Sequence, residues 1–409
     1  MISKLPLAAL CLALAAVPSP ARPATTVSFD TVVGIIRSGN PDLAAARLRV
    51  DEAVARAKQA GRAANPELES EFRHNPSFRE GGLEIAFTQK FPVTARLRLE
   101  KAVALADIKA AEAEIAVRER EIITSAREAV VKCLAARERK SLLADQARLA
   151  GEFAAFLATS ASKGEGSLLD AGQAKLEGNA LALEVRRLEA EEISLLGELK
   201  PMLGLAIGDK VLLGEAMPSA VPADSTAPDP RSRADYQGAL AQVEAADREL
   251  ELEKARRHED WQGGVVASAE RMEDAPEGYQ TDGMIGFRLS IPLPLWNRNE
   301  GAIEEADARA RRTRLEADAL ARRIPLEAEA ALAEMNQWAE LIREIDGNLL
   351  PLAREQAALA EKAYRDGQGE LQALLRARSQ TLELAISRVE ALRDFHLARA
   401  RHLAGTGKF

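Results

Sequence analysis

Between Met284 and Ile291 the chain alternates, with Ile285, Phe287, Leu289 and Ile291 on one side and Gly286, Arg288 and Ser290 on the other. A period of two predicts a strand with one apolar face. Pro292 and Pro294 then withhold backbone donors, and from Asn299 a run of Ala, Glu and Arg predicts a helix of about fifty residues. The same arrangement stands about 200 residues earlier. There Leu83, Ile85, Phe87 and Phe91 alternate with Glu84, Ala86, Thr88 and Lys90, Pro92 follows, and a helical run opens near Thr94. Two strand–Pro–helix junctions in matching places predict an internal duplication.

The rest of the pattern fits that frame. A short helix is expected over Thr31–Ile36, capped at Ser28-Phe29-Asp30, and a longer one from about Asp42 to Arg62. A strand over 67–73, with Leu68 and Phe72 on one face, pairs as a hairpin with 83–91. From Thr94 to Ala161 no proline intervenes, and Ile108, Ile115, Ile122, Ala129, Ala136 and Leu143 recur every seven residues. That heptad seam predicts a rod about 100 Å long, which must pack against similar rods. The chain turns at Lys163–Ser167 and returns as a helix over 168–199. Four prolines mark 205–230 as a linker lying against the rods, the poorly ordered stretch of the chain. The second half repeats the order: a helix from Ser232 to Arg257, strands over 261–270 and 283–291, a helix over 299–365 and another over 370–404 after a turn at Asp366–Gly369. A kink is expected at Pro325, at Asn348–Pro351 or at both, and a disordered tail from Gly405. In the last helix Leu375, Leu382 and Val389 again step by seven.

Composition narrows the class. Of 409 residues, 29% are charged and 4% aromatic, closer to long packed helices than to globular cores. The net charge of −8, with no uninterrupted basic block, argues against nucleic acid as a partner. Lys4, the apolar run Leu5–Val17 and the small residues Ser19 and Ala21 read as a secretory signal over 1–21. Cys11 lies inside that run, after Leu10 where a lipoprotein cut wants a small residue, so no lipid anchor is expected, and Cys133 remains as a packing residue. No stretch reaches 18 uninterrupted apolar residues, so membrane insertion would have to use strands. No catalytic constellation or cofactor motif occurs. His74, His258, His396 and His402 stand apart from ligand-spaced partners, so no metal site is expected. Trp261, Phe287, Trp296 and Phe91 suit an interfacial girdle, with Trp296 equally suited to filling the strand–helix corner.

Four strands cannot close a barrel, and an open edge in lipid leaves backbone groups unpaired, so closure needs several chains; three would give twelve strands. The segments FTQKFPVTARLRLEKA at 87–102, PLPLWNRNEGAIEEADARA at 292–310 and AYRDGQGELQALLRARSQTLELAISRVEAL at 363–392 resemble the outer membrane efflux protein family, the TolC-like channels, and in particular the heavy-metal-efflux, CzcC-like branch. The resemblance spans about Thr26 to Gly405. It implies a mainly α fold with a small β part. The homotrimer would carry a twelve-stranded outer-membrane β-barrel above a tunnel of long antiparallel helices in the periplasm. The first repeat would occupy 22–204, a linker 205–230, the second repeat 231–405 and a tail 406–409. The implied role is a passive exit duct for heavy-metal cations, working with a periplasmic adaptor and an inner-membrane pump. Gly164, Gly166, Ser167, Leu168, Gly367, Gly369 and Leu371 would meet the adaptor at the tips. Leu83, Ile85, Phe87, Phe91, Ile285, Phe287, Leu289 and Ile291 would face lipid.

In the family, carboxylates just after the tip glycines help close the periplasmic mouth. Asp170 matches one such position, whereas Ala373 and Arg376 stand where drug exporters often carry carboxylates. Asp170 and Arg376 are therefore the gate candidates, set against a plainer reading of Asp170 as a first-turn charge favoured by the helix dipole and Arg376 as a solvated helix-face residue. The alternatives are a drug-efflux or type I secretion exit channel and, from another class, a periplasmic coiled-coil stalk.

Overall fold

The computed structural model describes residues 25–407 except 165, 215, 222–227 and 275. The expected signal segment and the end of the expected tail lie outside the described residues. In chain order the elements are β1 (Thr25–Val27), α1 (Val32–Gly39), α2 (Pro41–Gln59), β2 (Glu67–His74), β3 (Gly81–Phe91), α3 (Arg96–Ser162), α4 (Leu168–Met202), β4 (Val211–Leu213), α5 (Ala234–Ala255), β5 (Trp261–Asp274), β6 (Gly278–Ser290), α6 (Glu300–Glu344), α7 (Leu350–Arg365) and α8 (Leu371–Thr406).

The four longer strands form one antiparallel sheet in the order β2-β3-β5-β6. Each is continuous with a helix, β2 and β5 entered from α2 and α5, β3 and β6 feeding α3 and α6. The helices beside the sheet accordingly stand in the same order: α2 packs on α3, α3 on α5 and α5 on α6. Farther along, α4 packs on α3, α3 on α8, and α8 on both α6 and α7. The chain is thus a wall with first-half elements along one flank and second-half elements along the other.

α3 runs 67 residues unbroken because Ala and Leu fill its interior without proline. On its heptad row Ile122, Ala129, Ala136 and Leu143 are buried, while Ile108 and Ile115 are half-buried. Here α3 meets α8 and α1, and two guanidiniums lie over the Phe29 ring, Arg127 and Arg399 standing 4.9 and 5.0 Å from its centroid. Burial lowers the Arg127 pKa, Arg399 adding to the effect against the opposing pull of Asp30.

Three expectations need correction, and one, the kink, is narrowed to a single place. The described part of the 205–230 segment is not a featureless linker; residues 215 and 222–227 lie outside the described residues. Val211–Leu213 forms a parallel ladder with Thr25–Val27, and Leu213 and Met217 enter the main core. Three-residue strands carry too little periodicity to be read in advance. His396, buried in that core, hydrogen-bonds through Nε2 to the Pro218 carbonyl at 2.8 Å, and burial lowers its pKa. Second, the hairpin of the second half is longer than expected: β5 reaches Asp274 and β6 begins at Gly278, since the polar residues 271–274 and 278–282 still complete the ladder. Third, α6 passes through Pro325 as helix and changes only at Ile345–Leu349, a π-helical turn. Pro351 has no N–H for the Gly347 carbonyl, and a wider turn relieves the ring's crowding there. Asp346 at this turn pairs with Arg388 of α8 at 2.6 Å. Fourth, Gly405 and Thr406 are not a loose tail. They belong to α8, with Gly405 buried and the Cβ it lacks falling 3.3 Å from that of Ala328.

First and second halves are tied by Asp235 of α5, which accepts from Arg120 of α3 at 3.0 Å and from the buried Arg233 at 2.5 Å. Burial pushes the Asp235 pKa up, but the two guanidiniums outweigh it and hold the carboxyl at about 2. A depressed carboxylate stabilises the fold above its unfolded pKa, near 3.9. This contribution should be constant from pH 7 to about 4.5 and fade as pH falls from 4 toward 2. In thermal melts against pH, Asp235→Asn should be less stable than wild type at pH 7 and should lose less between pH 4 and 2.

Candidate channel wall and periplasmic mouth

The register of the sheet sorts its side chains onto two faces. Leu68, Phe87, Val265 and Phe287 oppose one another across all four strands, as do Ser70, Ile85, Ala267 and Ile285, and Phe72, Leu83, Ala269 and Gly283. The face is apolar and open, Phe287 being 90% and Ile285 82% exposed. Leu289 shares that side, and Phe91 lies opposite Trp261 at its helical end. Ile291, just past β6, is exposed as well. All eight strand residues singled out from the sequence are therefore at the surface, and the seven within strands share this face. Trp296 is 95% exposed, so it does not fill the strand–helix corner.

The opposite face carries Glu67, Glu69 and Glu71 of β2, Glu84, Thr88 and Lys90 of β3, Gln262, Ser268 and Glu270 of β5, and Asp282 and Arg288 of β6, by the same alternation. Arg73 pairs with Glu71 of its own strand at 3.5 Å, and two further cations are partnered across strands. Lys90 stands 3.5 Å from Glu67, and Arg288 stands 2.6 Å from Glu84 and 3.9 Å from Glu69. Gln262 donates to Thr88 Oγ1 at 2.9 Å. Such exposed pairs add little stability, but they require both partners on one face and so oppose a one-residue slip, which would exchange the faces.

Where sheet gives way to helix, Arg96 at the start of α3 binds Asp260, just before β5, at 2.5 Å and Glu100 at 2.6 Å. Hydrogen bonding to Asp260 raises the Arg96 pKa. Arg256, at the end of α5, reaches Glu100 at 3.7 Å. This cluster joins the junctions of the two halves. Sequence reading missed it, though Arg96 and Asp260 each sit within a few residues of a strand end, which was the available signal.

At the far end of the wall lie the two turns. Gly164 and Gly367 have φ of +79° and +71°, the left-handed conformation that ends α3 and α7 at glycine. Ser167 caps α4, its Oγ accepting from the Asp170 backbone N–H at 3.4 Å. Leu168 is exposed, whereas Leu371 is buried with Ala154, Leu157, Ala171 and Ala174. Gly166 leaves open a site where a Cβ would touch Ser160, and one at Gly369 would meet Ala363 and Tyr364 at about 3 Å.

Asp170 is half-buried and Arg376 exposed, and no hydrogen bond or ion pair joins them within one chain. The contacts beside them come from other residues. Arg378 binds Glu361 at 3.1 Å and lies 5.1 Å over the Phe153 ring, which meets Tyr364 edge-on at 5.7 Å. Burial raises the Tyr364 pKa, with Asp170 adding to it. Burial likewise raises the Glu177 pKa against the pull of Arg378. Phe153, Tyr364 and Arg378 carry no recognisable motif, and only the packing of α3 against α7 and α8 brings them together.

Among the described residues no group of His, Cys, Asp and Glu is arranged to hold a metal ion, and no helix is long and apolar enough to cross a membrane.

No family model matches the sequence, and no curated protein matches it. Solved structures do match the fold. CusC, described for folding and transmembrane channel formation, aligns over 93% of this chain and 92% of its own with a TM-score of 0.77 at 15% identity. The outer membrane protein VceC of Vibrio cholerae aligns over 93% and 96% with a TM-score of 0.73 at 17% identity. The MtrE outer membrane channel of Neisseria gonorrhoeae, in its open state, aligns over 93% and 89% with a TM-score of 0.72 at 13% identity. Nearly the whole length of the chain, sheet and helical wall together, has the fold of these three proteins.

Proposed function

We propose that this chain is the outer-membrane exit duct of a tripartite efflux system. Copies of it close into a trimer with a twelve-stranded barrel in the membrane and a helical tunnel in the periplasm. The observation that carries this reading is the two-faced sheet whose strands run straight into the helical wall, with both flanks open. From the Phe91–Trp261 pair to the Leu83–Ala269 pair the apolar face extends eight residues along β5, about 26 Å at 3.3 Å per residue. A tilt of about 40° leaves about 20 Å of height, close to the apolar band of membrane barrels. Leu83, Ile85, Phe87, Phe91, Ile285, Phe287, Leu289 and Ile291 then face lipid, Trp261 joins the girdle, and the charged face lines a watery lumen. The corresponding order of hairpin, long helix, turn and returning helix in the two halves supports their origin by duplication. The duct is passive and performs no catalysis; energy comes from an inner-membrane pump, reached through an adaptor that grips Gly164, Gly166, Ser167, Leu168, Gly367 and Gly369, while Leu371, expected among them, is buried in the tip cluster and supports the turn from within.

Single cysteines test the lipid assignment in cells. Phe287→Cys should react with a bilayer-soluble maleimide and resist a charged one, and Arg288→Cys should do the reverse; the opposite pattern would remove the barrel reading. Asp170 and Arg376, separate within a chain, are proposed to meet across protomers and narrow the mouth. In planar bilayers, Asp170→Ala and Arg376→Ala should each raise single-channel conductance, and unchanged conductance in both would exclude them as the gate.

The cargo is proposed to be heavy-metal cations, a reading supported by resemblance to the metal-efflux branch and by the many carboxylates on the charged face. Loss of the gene should lower tolerance to zinc, cobalt and cadmium or to copper and silver. Unchanged metal tolerance with new sensitivity to organic drugs would move the chain to the drug-exporting branch.

A further inference from the structure

The helical wall has two flanks at its far end. α4 packs on α3 and α7 on α8, while α3 and α8 hold each other. Each flanking helix carries leucines that its own chain does not cover. On α4 these are Leu169, Leu176 and Leu183, spaced by seven and each more than half exposed. At 100° per residue they stand about 165° round the helix from Ala171, Ala174 and Gly178, the buried positions that face α3. On α7 they are Leu352 and Leu359, also spaced by seven and more than half exposed. These lie about 120° from the face carrying Ala353, Ala357 and Tyr364. Both stripes therefore repeat every 10.5 Å or so, the rise of a heptad.

Their levels agree. Tyr364 and Leu371 pack into the cluster of Ala154, Leu157, Ala171 and Ala174, which sets the turn of α7 and α8 beside the first turns of α4. From that level Leu359 lies about one helical turn up α7 and Leu176 about one turn up α4. The helices run in opposite directions, so residues pair at a constant sum of numbers. Leu176 opposite Leu359 places Leu183 opposite Leu352.

We propose that α4 of one copy and α7 of the next form an antiparallel leucine seam, Leu176 against Leu359 and Leu183 against Leu352, which closes the tunnel between protomers. The partner is a second copy of this chain, because the two stripes match each other in spacing and level, lie on opposite flanks, and cannot meet within one wall. The open sheet edges β2 and β6 lie on the corresponding first-half and second-half flanks, so one operation that pairs them also brings α7 to α4 of the neighbour. The proposal rests on the trimeric duct reading above and adds the residues of the helical contact.

The test uses the full-length chain purified in detergent. Leu176→Cys with Leu359→Cys, and Leu183→Cys with Leu352→Cys, are oxidised beside each single variant. Cys133 is fully buried, and burial pushes its pKa up to about 12, so it stays out of the exchange. Both double variants should give a non-reducing ladder ending at three chains, with no ladder from the single variants. Phe156→Cys with Leu359→Cys is the competing pair, since Phe156 of α3 is also exposed. More complete linkage there than at Leu176 overturns the seam. Absence of linkage in a preparation that sediments as a trimer and conducts overturns the seam and leaves the duct reading standing, whereas a monomer that does not conduct removes both.

Discussion

Backbone hydrogen bonding at the edge of the sheet is the constraint on which the rest of the structure turns. β2 and β6 each present one row of ladder groups that no strand among the described residues pairs. In water such an edge is a liability; in hydrocarbon it is untenable. Because every strand of this sheet is continuous with a helix, the order imposed by the ladder passes directly to the helices, and the wall inherits the two open flanks of the sheet. An open wall that cannot finish its own hydrogen bonds needs a partner at each edge, and the proposed duct supplies one.

Small side chains make the helical part of this wall possible. The buried positions of α6 are mostly alanine, with Ala306, Ala310, Ala317, Ala328, Ala331 and Ala339 at or near zero exposure. Close approach of helices over many turns replaces the bulky aromatic core of a globular domain. Where a large ring is buried, as at Phe29, cations from two helices lie against it. Charge performs a second task at the borders between halves. Arg120 on Asp235 and Arg96 on Asp260 are partly buried pairs with short geometry, and each crosses from one half of the chain to the other. Removing one partner would leave the other charge buried without compensation, which is why such pairs specify how elements join even where their net stabilisation is small.

Much of this was legible beforehand because it depends on period. Alternation in 83–91 and 285–291 already separated an apolar face from a polar one, and the register across four strands brought the two sets into line. The long helices, their glycine turns and the break near Asn348–Pro351 likewise follow from local chemistry: heptads, φ of glycine, and a proline without a donor. At the mouth the sequence pointed to Asp170 and Arg376, yet the observed contacts are made by Arg378, Phe153, Tyr364 and Glu361. Those four come from three helices, and a helix face cannot be assigned to a particular neighbour until the neighbours are known.

The sequence by itself determined the elements, their faces and their repetition, since each is set within a few residues along the chain by side-chain spacing and backbone propensity. Only the tertiary structure decided which elements became neighbours. It placed α5 between α3 and α6, joined Thr25–Val27 to Val211–Leu213, and left α4 and α7 as flanks with their leucines uncovered. The reason is range: a period of two or seven is a local signal, whereas the pairing of short strands and the choice of helix partner depend on contacts between residues far apart in sequence, in which a three-residue strand or an alanine face looks like many others until it is packed.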